Sequence, residues 1–239
     1  MTSRFHRLRR LRRIRLHREG THSLVLGALV IIFFLLALYF GMNTFRAGSN
    51  VIHIVMISAA AVCVVVYGIV VNFFRCPPRV FEGDHDHVVV AACNGRVVVI
   101  EEVEENEYFH DRRLMVSTFM SLFDVHANWV PMEGTVKKVH HHDGNFHAAW
   151  LPKASIENER STVVIENKDG HQILVRQVAG AMARRVITYV QEGERCEIDE
   201  HMGFIKFGSR VDIYLPLDAE VLVKKGQRTI GNETVIAKL

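Results

Sequence analysis

The chain has 239 residues, 49% of them hydrophobic, and a formal net charge of +3. That length allows one medium domain or a small domain with an appendage, and the modest net charge gives no support to nucleic-acid binding by the chain as a whole. The four cysteines, Cys63, Cys76, Cys93 and Cys196, show no paired spacing, which excludes a disulfide framework and is consistent with reduced, metal-free thiols on a cytosolic face.

Residues 1–22 form a basic arm. Eight arginines fall within the first eighteen residues and account for the net charge. Leu8, Leu11 and Ile14 recur among them at roughly helical spacing. Such a segment is expected to lie on anionic lipid headgroups. A nucleic-acid-binding arm is the alternative, disfavoured because the next stretch is apolar.

Residues 23–40 carry no charge, and residues 51–74 carry His53 as their basic group. Each run is long enough to cross a bilayer core of roughly 30 Å as a helix. With the polar connection at 41–50, residues 23–74 are expected to form a transmembrane helical hairpin. A signal peptide fits poorly, because no small-residue cleavage site follows the first run and a second span does. The excess of arginine places the N-terminus in the cytoplasm, and two crossings return the chain there. The remainder is therefore expected on the cytoplasmic side of the inner membrane. Arg75 and Arg79 flank Pro77-Pro78 in a linker spanning 75–87.

Residues 88–239 read as a mainly β catalytic domain. β-rich runs occur at 88–92, 97–102, 115–119, 134–139, 147–151, 162–165, 173–178, 185–190, 204–207, 211–215 and 221–223. Asn94-Gly95, Asp143-Gly144, Asp169-Gly170 and Glu192-Gly193 supply turn signals between them. This spacing predicts a sandwich or barrel rather than alternating β and α units. Residues 179–185 could add a helical turn. The stretches 131–139 and 217–227 each run a β segment into a Lys-Lys pair, and the second continues through Gly231 to Ala237. That ending resembles biotinyl- or lipoyl-like hammerhead strands and suggests a duplicated β architecture.

Several residues carry candidate chemistry. Gly208-Ser209 lies between two apolar β-type runs. A serine there can simply occupy a tight bend. Alternatively its hydroxyl can attack the preceding glycyl carbonyl, and an N-to-O acyl shift with β-elimination would leave a pyruvoyl group at a new N-terminus. Asp124 and His126 lie two apart, which on a strand places them on one face. There a carboxylate could fix an imidazole tautomer, and a structural pair near a turn is equally compatible with the spacing. The run His140-His141-His142 with His147 invites a metal, but adjacent strand residues point to opposite faces and the spacing matches no standard zinc site. Asp84-His85-Asp86-His87 reads as an exposed polar turn. The acidic run at 101–108 reads as a solvated edge rather than as a general acid or base. In Asn158-Glu159-Arg160, Arg160 suits phosphate or carboxylate recognition, or a structural salt bridge.

Four stretches then gain meaning from their order: Asn94-Gly95-Arg96-Val97-Val98 with Ile100-Glu101-Glu102-Val103; residues 119–126, ending Asp124-Val125-His126; Asn158-Glu159-Arg160; and residues 203–211 around Gly208-Ser209. In this order the chain resembles a phosphatidylserine decarboxylase of the short bacterial type, from about Arg79 to the C-terminus. The resemblance implies a pyruvoyl enzyme cleaved between Gly208 and Ser209 into a large β chain, 1–208, and a small α chain, 209–239. The cofactor would be a covalent pyruvoyl group derived from Ser209. It would form a Schiff base with the amine of phosphatidylserine and act as the electron sink for decarboxylation to phosphatidylethanolamine and CO2. His126 matches the family's histidine and becomes the proton donor. Asn94 stands where the family has aspartate, and Trp129 where the longer enzymes carry a second histidine. Asn94 and Asp124 are the candidate processing partners, and Arg160 the candidate substrate-binding residue. The implied partners are phosphatidylserine in the bilayer and anionic headgroups, with no nucleic acid and no metal. A homo-oligomer is left open. The rival readings are a membrane-anchored, non-enzymatic hammerhead adaptor and a zinc-dependent membrane hydrolase. The first lacks a carrier lysine motif, and the second lacks ligand spacing.

Overall fold

The structure is a computed structural model, and it describes residues 15–44, 50–144, 158–180, 185–206 and 209–239. The chain divides into two compact units, one from Arg13 to Pro77 and one from Pro78 to Leu239.

The first unit is a pair of helices, α1 (Thr21–Thr44) and α2 (Asn50–Phe73). Their spans Arg18–Gly41 and His53–Phe73 are long and apolar enough to cross a membrane, and almost none of either is buried. Large apolar side chains such as Leu26, Phe33, Phe40, Ile54 and Val65 are exposed. A helix apolar all round needs an apolar surrounding. The Tyr67 hydroxyl donates to the Leu24 carbonyl at 3.1 Å and ties the end of α2 to the start of α1. Below it, Arg15 and Leu16 pair with Cys76 and Arg75 in a short ladder.

The second unit is mainly β. Its strands are β1 (Val88–Val90), β2 (Gly95–Glu105), β3 (Asp111–Met120), β4 (Ala127–Trp129), β5 (Gly134–His142), β6 (Arg160–Glu166) and β7 (Gln172–Val178), then β8 (Val186–Thr188), β9 (Arg195–Cys196), β10 (His201–Ile205), β11 (Ser209–Leu215), β12 (Glu220–Val221), β13 (Arg228–Thr229) and β14 (Val235–Lys238). Eight of them form one sheet in the order β9-β5-β6-β7-β11-β3-β2-β13. Two three-stranded sheets, β8-β10-β4 and β12-β14-β1, complete the unit.

The core follows from strand alternation. Val211, Ile213 and Leu215 of β11 and Val163 and Ile165 of β6 share one cluster with Met202 and Ile205 of β10 and Ile236 of β14. One face of the large sheet is thus covered by the small ones. The other face carries a smaller apolar cluster, Met115, Val164, Leu174 and Tyr214. Next to it lies a charged network in which Arg176 bonds Glu105 at 2.9 Å and Glu107 at 2.8 Å.

The acidic run therefore departs from the solvated edge expected of it. Its first members are exposed, but Glu105 is buried and accepts from the amides of Glu107, Tyr108 and Phe109. Burial opposes ionisation of Glu107, yet Arg176 and Arg160 hold its carboxyl below the usual range. The stretches 131–139 and 217–227 lie in different sheets, the first mainly in β5 and the second in β12 and the turn after it. The strand expected at 147–151, with His147, and most of the helical turn expected at 179–185 lie outside the described residues.

Candidate active site

Ser209 is the first residue of β11 and is fully buried. It stands opposite Met120, the last residue of β3, and its hydroxyl donates to the Met120 sulfur at 3.2 Å. Phe207 and Gly208, and with them the expected cleavage point, lie outside the described residues.

β3 runs directly into the Asp-x-His stretch. Asp124 sits in a turn, with its amide on the Ser121 carbonyl at 3.0 Å. Its carboxylate accepts from the Ser121 amide at 2.9 Å, the Ser121 hydroxyl at 2.6 Å and Arg228 at 2.6 Å. The one-face strand pairing expected for Asp124 and His126 is therefore not what the chain adopts. The turn directs the carboxylate to Arg228, and His126 Nδ1 lies 2.9 Å from the Asp124 backbone carbonyl instead. A carbonyl oxygen only accepts, so Nδ1 carries the proton and Nε2 is the basic nitrogen of the neutral ring. The imidazole is fully buried.

β4 brings this stretch alongside the segment that leads to Ser209. Ala127 pairs with Phe204, and the Ile205 amide donates to the His126 carbonyl at 3.4 Å. Ser209 and His126 thus belong to one locality, reached from β3 on one side and β10 on the other.

Two buried amides that the sequence does not single out extend it. Asn128 Nδ2 approaches the same Met120 sulfur at 3.9 Å, and its oxygen accepts from Gln177 Nε2 at 2.6 Å. Gln177 Oε1 in turn accepts from the Thr188 hydroxyl at 3.0 Å. Gly203 makes room for Gln177, since an added Cβ would stand 2.6 Å from its Nε2. A polar residue within a strand ordinarily reads as solvent-facing, so no sequence signal marks these two.

Asn94 lies in the bend entering β2, half-buried. Its oxygen accepts from Arg79 and, at 3.0 Å, from the Gly231 amide. The Arg79 guanidinium also stands 4.7 Å over the Trp129 ring and bonds the Gly231 carbonyl at 2.8 Å. A Cβ at Gly231 would meet that ring at 2.7 Å. Asn94, Arg79 and Trp129 are thus one assembly.

Arg160 is placed elsewhere. In β6 it alternates with Ser161, Val163 and Ile165, so it points to the face opposite the core side of Ser209. Its Nε donates to Glu107 at 2.8 Å, the arrangement of a structural salt bridge. Asn158 and Glu159 clamp the segment after β7. Asn158 bonds the Ala179 carbonyl at 2.6 Å, and Glu159 accepts from the Val186 amide at 3.1 Å. His140 and His142 bond each other at 2.7 Å, while His141 lies 3.4 Å from Glu159. The turn at 84–87 is tied down by His85 to Glu133 at 2.5 Å and by Asp86 to Lys168 at 2.7 Å. Burial pushes the Cys196 thiol up to about 12 and the Cys93 thiol higher, so both stay protonated and unreactive.

A sequence model described as phosphatidylserine decarboxylase matches residues 66–237. The chain belongs to the phosphatidylserine decarboxylase family. It is 59% identical over 233 residues to a phosphatidylserine decarboxylase proenzyme of Bacteroides thetaiotaomicron, covering 98% of this chain and 99% of that protein. The same figures hold for the proenzyme of Phocaeicola vulgatus. The proenzyme of Cytophaga hutchinsonii is 43% identical over 224 residues, covering 93% of this chain and 98% of its own.

Proposed function

We propose that the chain is a membrane-anchored proenzyme that cleaves itself between Gly208 and Ser209 and then decarboxylates phosphatidylserine to phosphatidylethanolamine with a pyruvoyl group made from Ser209. The observation that carries this reading is the burial of Ser209 at the head of a central strand, in register with the segment that leads into Asp124 and His126.

In the processing step, the Ser209 oxygen attacks the Gly208 carbonyl as His126 Nε2 takes the hydroxyl proton, and the proton passes to the departing Ser209 nitrogen. The peptide becomes an ester. Loss of the Ser209 Cα proton and of the ester C–O bond frees the Gly208 carboxylate and leaves dehydroalanine. Water converts this to the pyruvoyl group with release of ammonia.

The site residues fit that group. The Ser209 hydroxyl donates to a thioether sulfur, a weak acceptor, so loss of that oxygen with the Gly208 carboxylate strands no strong buried partner. The pyruvoyl group supplies a carbonyl for the substrate amine and a conjugated sink for the electron pair left by CO2. His126, held by the Asp124 carbonyl in a single tautomer, returns a proton to the former Cα. Asp124 holds the turn against Arg228, and the Asn94–Arg79–Trp129 assembly fixes the entry to β2. Arg160 has a structural part.

The two apolar helices anchor the unit at the inner membrane where the lipid resides, and the N-terminal arginines gather anionic headgroups on the cytoplasmic side. A denaturing gel of the purified protein tests the reading. It predicts two fragments, split at Ser209, and phosphatidylserine-dependent CO2 release. A single full-length chain that decarboxylates would refute it.

A further inference from the structure

On the face of the large sheet opposite the main core one cross-strand row runs Arg228, Arg96, Phe119, Arg210, Val178, Arg160, exposed at its Arg228–Arg96 end. Three of its arginines meet carboxylates: Arg228 with Asp124 at 2.6 Å, Arg210 with Asp212 at 2.8 Å and Arg160 with Glu107 at 2.8 Å. Arg96 is different. It is exposed and donates to the Gly226 carbonyl at 2.5 Å, and among the described residues no carboxylate pairs with it. Like charges directly opposite each other on a ladder are destabilising. Arg96 and Arg228 are such a pair, and Lys224 and Lys225 are exposed in the turn that Arg96 holds. Among the described residues the carboxylate that pairs with this group of cations is Asp124, through Arg228. Asp124 belongs to the turn that carries Phe123, a residue 63% exposed next to this basic rim. Paired guanidinium groups match phosphate oxygens, and an exposed ring beside them suits an apolar layer.

We propose that Arg96 and Arg228 bind the phosphodiester of a membrane phospholipid, with Phe123 entering the apolar layer next to it. The substrate headgroup then passes from Arg228 around the end of the sheet, by the Asp124 turn, to His126 and Ser209 on its core side. The last step rests on the proposed function; the lipid site itself does not.

The test is calorimetric titration of the full chain in neutral-detergent micelles with dihexanoylphosphatidylglycerol, dihexanoylphosphatidylcholine or inorganic phosphate. Wild type is compared with Arg96→Gln and Phe123→Ser. The N-terminal arginines are common to all three, so the difference between variants reports the rim. Arg96→Gln is expected to weaken phosphatidylglycerol about tenfold, and Phe123→Ser to weaken both lipids. Unchanged phosphatidylglycerol affinity in Arg96→Gln overturns the proposal. Inorganic phosphate binding as tightly as the lipid, with the same loss, overturns the lipid assignment in favour of a free-phosphate site. In mixed micelles, Arg96→Gln should raise the KM for phosphatidylserine and leave kcat and fragment formation near wild type. An unchanged KM in an active enzyme removes the rim from the substrate's path. A wild type without decarboxylase activity contradicts the proposed function, while the titration still decides the lipid site.

Discussion

Asn94 holds its place through its oxygen, which accepts from Arg79 and the Gly231 amide. An aspartate at that position would keep both bonds and add an ion pair with Arg79. Asn94→Ala releases Arg79 from one of its partners beside Trp129. A time course of fragment appearance after cell-free synthesis should therefore show Asn94→Ala slowed and Asn94→Asp as fast as wild type or faster. Equal rates for all three would remove Asn94 from processing. Asn128 makes a second residue-scale case. Asn128→Leu strands the buried Gln177 amide, at a cost of about 1–3 kcal/mol, and loosens the sulfur on which Ser209 rests. It should lower the thermal midpoint and slow cleavage together; a variant unchanged in both would show that the amide chain is inert. Sequence reasoning reaches Ser209, His126, Asp124 and Asn94, because motif order marks them. It misses Asn128 and Gln177, whose partnership spans 49 positions and depends on packing.

At the scale of elements, the long strands are legible in the sequence and several of the short ones are not. Runs such as 162–165, 173–178 and 211–215 fall within β6, β7 and β11, and in those runs β-branched and apolar residues dominate and polar ones are few. β9 and β13 have two residues each, too short for any periodicity, and only their partners in β5 and β2 define them. β4 was hidden inside a motif, and Asp124 was displaced from its expected strand face by the turn that Ser121 and Arg228 hold. The position of β11 has a consequence for processing. It pairs through seven positions with β3 and five with β7, and β13 and β14 pair with β2 and β1. All three belong to the small fragment, while their partners belong to the large one. The fragments should remain associated after cleavage. Affinity capture through a tag on the C-terminus is expected to retain the large fragment without denaturant and release it only on unfolding. Release under native conditions would contradict this register.

For the whole molecule, the division at Pro77–Pro78 separates the apolar helices from the β unit, which has its own core. The composition break in the sequence announces the same point. Deleting residues 1–74 should leave a chain that still cleaves itself but turns over phosphatidylserine in vesicles poorly, and activity on lipid dispersed in detergent should be recovered. A folded truncation that fails to cleave would show that the helices shape the processing site. The central claim is that Ser209 supplies both the attacking oxygen and the carbons of the pyruvoyl group. Intact mass spectrometry of wild type and Ser209→Ala tests it most directly. The predicted result is two wild-type fragments, 1–208 and 209–239, the small one lighter than its unmodified sequence by the mass of one ammonia, because the terminal Ser209 has become a pyruvoyl group, and a single unbroken Ser209→Ala chain without activity. Two fragments from Ser209→Ala, or a small fragment that still begins with serine, would contradict the account.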